Sequence, residues 1–423
     1  MLLLEEIRTY PDEVKKGIAK KYFKEIEVVD EILALDVEVR KTKTTYENLL
    51  AERNSLSKSI GNLLKESKNS EAIKAKERIA QLKEQIATIE TQLQETEHDL
   101  FQHLIRLPNL PHNTVPDGKT PEDNEIVYSV ATLPQLADDA LPHWELLKKY
   151  DLVDFDLGVK LTGAGFPVYK GKGALLQRAL INFFLDTALA AGYLEILPPH
   201  LVNEASAFAT GQLPDKEGQM YHVGLDNLFL IPTAEVPITN LYRDTIVEER
   251  DLPIKMVGYT PCFRREAGSY GKDVRGLNRL HQFDKVEIVQ IAHPDKSYDV
   301  LQEMLAHVET LLKELGLPYR ILRLCGGDMT FSSALTYDFE VYSAAQKRWL
   351  EVSSVSNFED FQSNRLKLRY KDKDNKKVLA HTLNGSALAL ARIVASIIEN
   401  YQSEKGIVVP LVLRKYMSMD IIA

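Results

Sequence analysis

Residues 259–269 hold charged side chains in a run that otherwise favours a β-strand. Side chains alternate between the two faces of a strand, so Cys262, Arg264 and Glu266 are predicted to share one side. A strand is therefore expected over 258–266. A glycine-rich loop follows, with Gly268, Gly271 and Gly276.

A second predicted strand, 281–289, places Phe283, Lys285 and Glu287 on one face. Phe283 and Glu287 are four residues apart, which is about 13 Å at about 3.3 Å per residue. This span suits a flat ring at one end and a small charged substrate at the other. From the pattern alone, a surface hairpin with a polar outer face is the alternative.

Residues 384–398 are apolar on nearly every side and predict a buried helix with Arg392 in its middle. A buried guanidinium is costly unless it is paired. Either a core carboxylate or a ligand anion must therefore meet Arg392, and both interpretations stay open.

Two short segments add oxygen ligands. Thr233, Ala234 and Glu235 follow the apolar run 228–232, and a threonine with a carboxylate at a strand end can hold an ammonium and a hydroxyl. Residues 351–354 read Glu-Val-Ser-Ser. The sequence has no Walker phosphate loop, no GxGxxG and no HExxH. A bound nucleotide would therefore be held by charged side chains.

These residues fall on a mixture of elements. Helices are predicted at 143–150, 172–191, 297–315 and 385–402. Strands are predicted at 258–266, 282–291, 320–324, 337–342 and 349–355. The strands cluster late and are joined by loops rather than by regular helical crossovers, which favours an α+β architecture with an antiparallel sheet.

The N-terminal part has apolar residues at alternating steps of three and four, over 32–63 and 79–100. Gly61, Asn62 and residues 65–70 weaken the pattern in between. The simplest arrangement is an antiparallel hairpin of two heptad helices. A helix of about 33 residues is about 50 Å long, so this arm should project from the body. A dimerisation coiled coil is the alternative.

Composition and charge narrow the class of protein. Apolar residues make up 44% and charged residues 27%, as in ordinary globular proteins. No apolar run approaches the roughly 20 residues of a membrane span, and residues 2–4 are too short for a signal-peptide core, so a cytosolic location is expected. Cys262 and Cys325 offer neither a disulfide framework nor a CxxC zinc pair and are predicted to be free thiols. Prolines and turn formers at 108–118 place a domain boundary near residue 110.

The net charge of −9 conceals a local excess of positive charge. Residues 57–78, at the predicted tip of the arm, carry six basic and three acidic side chains, which gives +3. Phosphate contacts need only a local positive surface. A solvated helix tip explains the same charges.

Taken together, these stretches resemble the signature motifs of class II aminoacyl-tRNA synthetases, and specifically the seryl-tRNA synthetase family. Residues 192–199 resemble motif 1, which forms much of the dimer interface in that family. The hairpin over 264–287 resembles motif 2, and the segment with Arg392 resembles motif 3. The Thr-Ala-Glu triplet at 233–235, the HTLNGS segment at 381–386 and the long hairpin are typical of the seryl type.

The resemblance covers nearly the whole chain and implies two domains, a tRNA-binding domain with the helical hairpin at 1–110 and a catalytic domain at 111–423. It implies a cytoplasmic homodimer that binds L-serine, ATP with Mg²⁺, and tRNA(Ser), without a membrane partner. It leaves open whether tRNA(Sec) is also served. In the family the arm embraces the long variable arm of the tRNA, reading shape and backbone.

The resemblance also implies a role for each unusual residue. The serine site would be formed by Thr233, Ala234, Glu235, Glu287 and Ser386. The ATP site would be formed by Arg264, Arg265, Glu266, Phe283, Glu351, Val352, Ser353, Ser354 and Arg392. Arg264 and Arg392 would be catalytic, on the α- and γ-phosphates, and Phe283 would stack on adenine. Glu351 and Ser354 would be Mg²⁺ ligands, and their odd spacing implies a β-bulge.

Serine would attack the α-phosphorus of ATP, and the seryl-adenylate would then react with the terminal ribose hydroxyl of the tRNA. No general base is evident, since His281 and His381 are interpreted as structural, so catalysis would rest on positioning and charge stabilisation.

The chain departs from the family at a few positions. Arg265 stands where many relatives have serine, Ala387 and Ala391 replace glycines of motif 3, and Thr330 stands where glycine is common; no loss of function is expected from the alanines.

Two alternatives remain: an amino acid–carrier-protein ligase, which usually lacks the arm, and a catalytically inactive synthetase-like binding protein. A shared set of residues argues against the second, namely Thr233, Glu235, Arg264, Glu287, Glu351 and Arg392.

Overall fold

The computed structural model describes two compact units. The described residues are 1–137, 139–215, 218–266 and 275–423. The units are Met1–Ala19 with Phe23–Pro108, and Lys20–Tyr22 with Asn109–Ala423. Two glycines of the predicted loop, Gly268 and Gly271, lie outside the described residues.

The first unit is helical. Its helices are α1 (Leu4–Thr9), α2 (Pro11–Lys20), α3 (Val28–Lys65) and α4 (Asn69–Leu104). Helices α3 and α4 pack together, and Ile32, Leu82 and Ile86, at predicted heptad positions, are buried. The predicted coiled-coil arm is therefore confirmed. The 38 residues of α3 span about 57 Å at about 1.5 Å each.

The arm reverses direction later than the breaks in its heptad pattern suggest. Gly61 and Asn62 lie inside α3, which ends at Lys65. The turn contains Ser67, whose φ of 58° is in the left-handed region. Lys68 donates its backbone N–H to the Leu63 carbonyl at 2.9 Å, which caps the last turn of α3.

The second unit mixes helices and strands. Its helices are α5 (His143–Lys149), α6 (Phe155–Leu161), α7 (Gly171–Ala190), α8 (Glu204–Ala209), α9 (Glu235–Asn240), α10 (Ser297–Leu315), α11 (Phe361–Leu366), α12 (Leu390–Asn400) and α13 (Arg414–Met417). Its strands are β1 (Glu125–Ser129), β2 (Val153–Asp154), β3 (Val168–Tyr169), β4 (Leu194–Glu195), β5 (Leu201–Asn203), β6 (His222–Val223), β7 (Leu228–Leu230), β8 (Ile246–Glu248), β9 (Ile254–Phe263), β10 (Gln282–Ala292), β11 (Tyr319–Arg323), β12 (Leu335–Ser343), β13 (Arg348–Asn357), β14 (Arg369–Lys371), β15 (Lys377–Leu379), β16 (His381–Ala389), β17 (Gln402–Ser403), β18 (Gly406–Val408) and β19 (Ile421–Ile422).

Eight strands form the main sheet, in the order β1-β11-β12-β13-β16-β10-β9-β4. Every neighbouring pair is antiparallel except β4 and β9, which are parallel. The predicted α+β class with an antiparallel sheet is confirmed. None of the helices in the described parts of the chain is long and apolar enough to cross a membrane.

Helices α7, α10 and α12 pack on this sheet and fix its central strands. Phe184, Leu311, Phe339 and Ile393 belong to the same buried core. Burying one such side chain contributes roughly 1.5–3 kcal/mol. Cys262 and Cys325 are free and buried, as predicted.

The prediction of a helix over 385–402 is wrong for its first part. Residues 385–389 belong to β16, and the helix begins only at Leu390. Strand β16 lies between β13 and β10 in the sheet, and its consecutive residues 385–388 are all buried, so both of its faces are covered there. A strand buried on both faces is apolar throughout and reads like a buried helix.

Candidate active site

A cavity of about 570 Å³ lies in the second unit, against strands of the main sheet. This volume is within the range of small-molecule sites. All but two of the predicted site residues line it: Thr233, Glu235, Arg264, Glu266, Phe283, Glu287, Glu351, Val352, Ser353, Ser354, Ser386 and Arg392. Side chains that are far apart in sequence therefore share one space.

The two predicted site residues that do not line the cavity are Ala234 and Arg265. Ala234 is fully buried in a small apolar cluster with Ile238 and Met256. Arg265 is exposed, and its backbone N–H donates to the Gln219 carbonyl at 2.8 Å.

Strand β10 brings a buried ion pair to the cavity wall. The Lys285 ammonium lies 2.6 Å from the Glu287 carboxylate, and both side chains are almost fully buried. Glu287 is the register partner of Ser386 on β16. It accepts hydrogen bonds from Asn384 at 3.0 Å and from the Ser386 hydroxyl at 3.3 Å.

Glu235 adds a second buried carboxylate to the wall. It is the first residue of α9, and its backbone N–H donates to the Thr233 hydroxyl at 3.2 Å. Gln362 donates to Glu235 Oε1 at 2.7 Å and accepts from the Thr382 hydroxyl at 2.7 Å. Burial, together with the neighbouring Glu287, raises the pKa of Glu235 to about 7. Glu235, Lys285 and Glu287 are called the acidic cluster below.

Three polar residues of this region were not among the predicted site residues. Lys285 shared the predicted face of Phe283 and Glu287, so its signal was present in the sequence. Asn384 lies in the segment that the sequence pattern predicts to be a helix. Gln362 has no sequence signal, because its contact with Glu235 depends on how α11 packs.

Arg264 and Glu266 lie beyond the end of β9 at Phe263, so the predicted shared strand face was wrong. Glu266 has a φ of 49°, which no regular strand contains. Both side chains still line the cavity. The Arg264 guanidinium lies over the Phe283 ring at 5.3 Å and donates to the Pro232 carbonyl at 3.4 Å.

Arg392 is the third residue of α12 rather than the middle of a longer helix. Its side chain is 29% exposed, so the prediction of a buried guanidinium was wrong. It donates to the backbone carbonyls of Glu351 at 2.6 Å and Asn278 at 3.2 Å. The Glu351 carboxylate lies 3.6 Å away. Arg392, Asn278 and Glu351 are called the arginine cluster below.

Residues 351–354 lie on β13 and contain the predicted bulge. Ser353 pairs with Phe339 on β12, whereas Glu351 pairs with the next residue along, so Val352 is the extra residue. The bulge lets Glu351 and Ser354 line the same cavity despite their odd spacing.

Asp338 is the register partner of Ser354 on β12, although it is not itself one of the residues that line the cavity. Burial and the nearby Glu351 carboxylate raise the pKa of Asp338 well above its ordinary value, while a hydrogen bond with Ser354 lowers it. Its Oδ1 has no hydrogen-bond partner among the described residues. Carboxylate and hydroxyl oxygens are the ligand type that Mg²⁺ prefers, but the described residues contain no group of three or more His, Cys, Asp or Glu side chains that could hold a metal ion without further ligands.

The cavity wall contains no histidine among the described residues. His381 is held by the Ser297 hydroxyl at 2.8 Å, and burial lowers its pKa to about 4. His281 contacts the Tyr221 hydroxyl at 2.8 Å and stacks on Phe166. Both therefore have structural partners outside the cavity.

Comparison with known proteins identifies the family. Residues 1–111 match the model of the seryl-tRNA synthetase N-terminal domain, and residues 221–401 match the tRNA synthetase class II core domain (G, H, P, S and T). The serine–tRNA ligase of Salinibacter ruber is 48% identical over 418 residues, 98% of each chain. The chain belongs to the seryl-tRNA synthetase family. The serine–tRNA ligase of Hydrogenobaculum sp. is 45% identical, with both chains covered in full.

Solved structures of the family share the fold. The seryl-tRNA synthetase of Pyrococcus horikoshii, complexed with ATP, has a TM-score of 0.93 at 32% identity over 99% of each chain. The cytoplasmic serine–tRNA ligase of Naegleria fowleri, in complex with AMP, has a TM-score of 0.88 at 26% identity, over 100% of this chain and 98% of that one. The architecture is a class II synthetase core with an N-terminal helical arm. Because relatives match over their full length, the carrier-protein ligase alternative is not supported.

Proposed function

We propose that this chain activates L-serine with ATP and transfers the seryl group to tRNA(Ser). The observation that carries the proposal is that a buried carboxylate pair and two guanidinium groups face one cavity. Carboxylates attract an ammonium, and guanidinium groups bind phosphates. The family match supports the same reaction.

Serine would bind at the acidic cluster, with Thr233 and Ser386 at its sides. The carboxylates of Glu235 and Glu287 suit both the α-ammonium and the side-chain hydroxyl of serine. A site that hydrogen-bonds a hydroxyl rejects an analogue without it by roughly 10⁴-fold, because its polar groups would otherwise lose their partners. Alanine should therefore be a very poor substrate.

ATP would occupy the rest of the cavity. Phe283 would stack on the adenine, Arg264 would hold the α-phosphate and Arg392 the γ-phosphate. Glu266, Arg265 and residues 351–354 would complete the site. The serine carboxylate oxygen attacks the α-phosphorus, the bond to the β-phosphate oxygen breaks, and pyrophosphate leaves. The developing charge falls near the guanidinium of Arg264, which stabilises it.

Glu351 and Ser354 would hold Mg²⁺, with Asp338 beside them. The donor set fits, since it consists of hard oxygens that include one without a described partner. When bound, Mg²⁺ withdraws charge from the phosphate oxygens. The chain's own contribution is to place these oxygens through the bulge of β13.

Residues 1–110 would form the tRNA-binding domain and 111–423 the catalytic domain. At the tip of the arm, Lys58, Lys65, Lys74 and Lys76 are exposed, which suits contact with a phosphate backbone. Such contacts read RNA shape rather than sequence.

We further propose a cytoplasmic homodimer. On and beside the edge strand β4, Leu194 is 62% and Leu197 is 83% exposed, and these residues belong to the segment that resembles motif 1. Sedimentation analysis of the purified chain tests the dimer, and a fluorescent fusion tests the location.

The decisive experiment is ATP–pyrophosphate exchange with each of the twenty amino acids. Serine should support exchange, and alanine and threonine should support it poorly. The absence of exchange with every amino acid would favour the inactive binding protein and overturn the proposal.

A second experiment separates the arm from the chemistry. Replacing residues 57–78 with a short turn should leave serine-dependent exchange intact and cripple charging of tRNA(Ser). Equal loss of both activities would contradict the proposed role of the arm. The same charging assay with tRNA(Sec) tests the second tRNA.

A further inference from the structure

A fully buried histidine–glutamate pair lies behind the cavity wall, and the chemistry above does not use it. His143 opens α5 and Glu399 lies near the end of α12, and neither side chain is exposed. His143 Nδ1 is 2.7 Å from Glu399 Oε1, which also accepts the His143 backbone N–H at 2.8 Å. The Ser343 hydroxyl donates to the other carboxylate oxygen.

The partner of the second nitrogen of His143 identifies the tautomer of the imidazole. The backbone N–H of Leu277 points at His143 Nε2 at 2.9 Å. A backbone N–H can only donate, so Nε2 is the acceptor and Nδ1 carries the proton that is donated to Glu399. Burial raises the pKa of Glu399, but the hydrogen bonds from His143 and Ser343 outweigh it, so the pKa lies below its ordinary value.

The hydrogen bond from the Leu277 N–H to His143 connects the buried pair to the cavity wall. Leu277 and Asn278 both line the cavity. The Asn278 carbonyl accepts from Arg392 Nε at 3.2 Å, so the residue after the anchored amide orients the guanidinium. Arg392 and Glu399 both lie on α12. The contacts therefore run from α12 through His143 to the cavity wall, and from the wall back to α12.

The anchored segment also has no room for a larger residue. Gly276 has a φ of 63°, and a Cβ at this position would lie 2.2 Å from His143 Nε2. The backbone therefore approaches the imidazole as closely as glycine allows. Arg275 lies over the ring of Trp144, the neighbour of His143, at 6.0 Å.

We propose that His143 is a positioning residue that anchors the wall segment Gly276–Asn278 and thereby aims the Arg392 guanidinium at the triphosphate. This inference rests on the proposed function, since it takes ATP as the ligand of Arg392. If His143 only filled space in the core, its Nε2 would not need to accept a hydrogen bond from the Leu277 backbone N–H. The imidazole is required here because it offers a donor to α12 and an acceptor to the wall at the same time.

Two near-isosteric variants separate the two hydrogen bonds. His143→Asn keeps an amide donor near the position of Nδ1 and leaves the Leu277 N–H without an acceptor. His143→Gln places a carbonyl oxygen near the position of Nε2, while Glu399 keeps its bonds from the residue 143 backbone and Ser343. We expect His143→Asn to raise the KM for ATP about tenfold, and His143→Gln to restore it to within about twofold of wild type. The KM for serine should stay within about twofold in both.

His307→Asn is the matched control. His307 is also buried, and its Nε2 has no hydrogen-bond partner among the described residues. Its replacement should lower the melting temperature without changing the KM for ATP. An equal rise of the KM for ATP in His143→Asn and His143→Gln, or an equal rise of both KM values in His143→Asn, would overturn the proposal.

Amide hydrogen exchange of the ligand-free chain gives a readout that needs no activity. The Leu277 amide should be protected in wild type and in His143→Gln, and should exchange faster in His143→Asn. An unchanged rate of amide exchange in His143→Asn would overturn the positioning role, whether or not the chain is active. A lack of serine-dependent ATP–pyrophosphate exchange in the wild type would instead overturn the proposed function. If His143→Asn does not fold, Gly276→Ala approaches the same contact from the wall side, and it too must raise the KM for ATP selectively.

Discussion

The acidic cluster is held by side chains, whereas the arginine cluster rests on backbone oxygens. Glu287 is bound by Lys285, Asn384 and Ser386, and Glu235 is bound by Gln362. Arg392 instead donates to two backbone carbonyls and remains partly exposed.

The difference concerns which charges the fold itself compensates. The acidic cluster is buried, and charge that has left water must be paired within the protein. It is therefore already assembled before a substrate binds. Arg392 keeps one face toward the cavity, and its Nη2 makes no hydrogen bond to a described residue, so its donors are available for an anion. Removing Glu287 from its buried ion pair should therefore cost stability as well as serine binding, whereas removing Arg392 should mainly cost binding.

The largest expected effect is on stability, from Glu287→Ala. This change leaves the Lys285 ammonium buried without its carboxylate, and breaking such a pair by removing one partner costs about 3–5 kcal/mol. Chemical denaturation should show this loss in the free energy of unfolding. The KM for serine should rise far more than the KM for ATP. Glu287→Gln keeps one acceptor oxygen, which can still accept from Lys285 and Ser386 but not also from Asn384, so it should lose less stability than Glu287→Ala. A loss below about 1 kcal/mol in Glu287→Ala, typical of a surface pair, would contradict the comparison.

The opposite pattern is expected for Arg392→Ala. The side chain is partly exposed and its partners are carbonyls that water can satisfy, so the free energy of unfolding should change by about 1 kcal/mol or less. Loss of a charge-stabilising donor costs about 10²-fold in rate, and kcat/KM for ATP in the exchange assay should fall by about this factor. A large loss of stability with unchanged kinetics would place Arg392 among the structural residues.

Much of this site was predictable because its chemistry depends on residue type. Guanidinium groups, carboxylates and an aromatic ring placed in apolar runs pointed to Arg264, Phe283, Glu287 and Arg392, and the structure brings all four to one cavity. The odd spacing of Glu351 and Ser354 predicted the bulge on β13. The heptad pattern likewise predicted the arm, because local periodicity determines how two long helices pack.

The remaining features depend on contacts that are distant in sequence. The sequence pattern predicts a helix over the last part of β16, because burial on both faces removes the alternation that marks a strand. With the helix starting at Leu390, Arg392 moves from the middle of an element to its first turn. Gln362 and His143 carry no local pattern at all. Their roles arise only when α11 and α5 pack against the wall residues Glu235 and Leu277.

The smallest expected effect, and the sharpest test of how the acidic cluster is assembled, is the response of serine use to pH. The pKa of Glu235 is raised to about 7, first by burial and then by Glu287, and is lowered in turn by Gln362, Lys285 and Arg264. Below pH 7 the carboxyl becomes neutral and attracts the serine ammonium less. With ATP saturating, kcat/KM for serine should therefore fall as the pH drops through about 7, by up to about tenfold per pH unit.

Stability should respond in the opposite direction. A carboxyl whose pKa is higher in the fold than its ordinary value of 4.5 binds more protons folded than unfolded between 4.5 and about 7. Relative to Glu235→Gln, which cannot titrate, the free energy of unfolding of the wild type should fall as the pH rises through this window. The same variant tests the pH dependence of serine use: in Glu235→Gln, the fall of kcat/KM for serine as the pH drops through about 7 should disappear. The same step in the variant would assign the titration to another group, whereas its loss would show that burial of Glu235 couples serine binding to the pH.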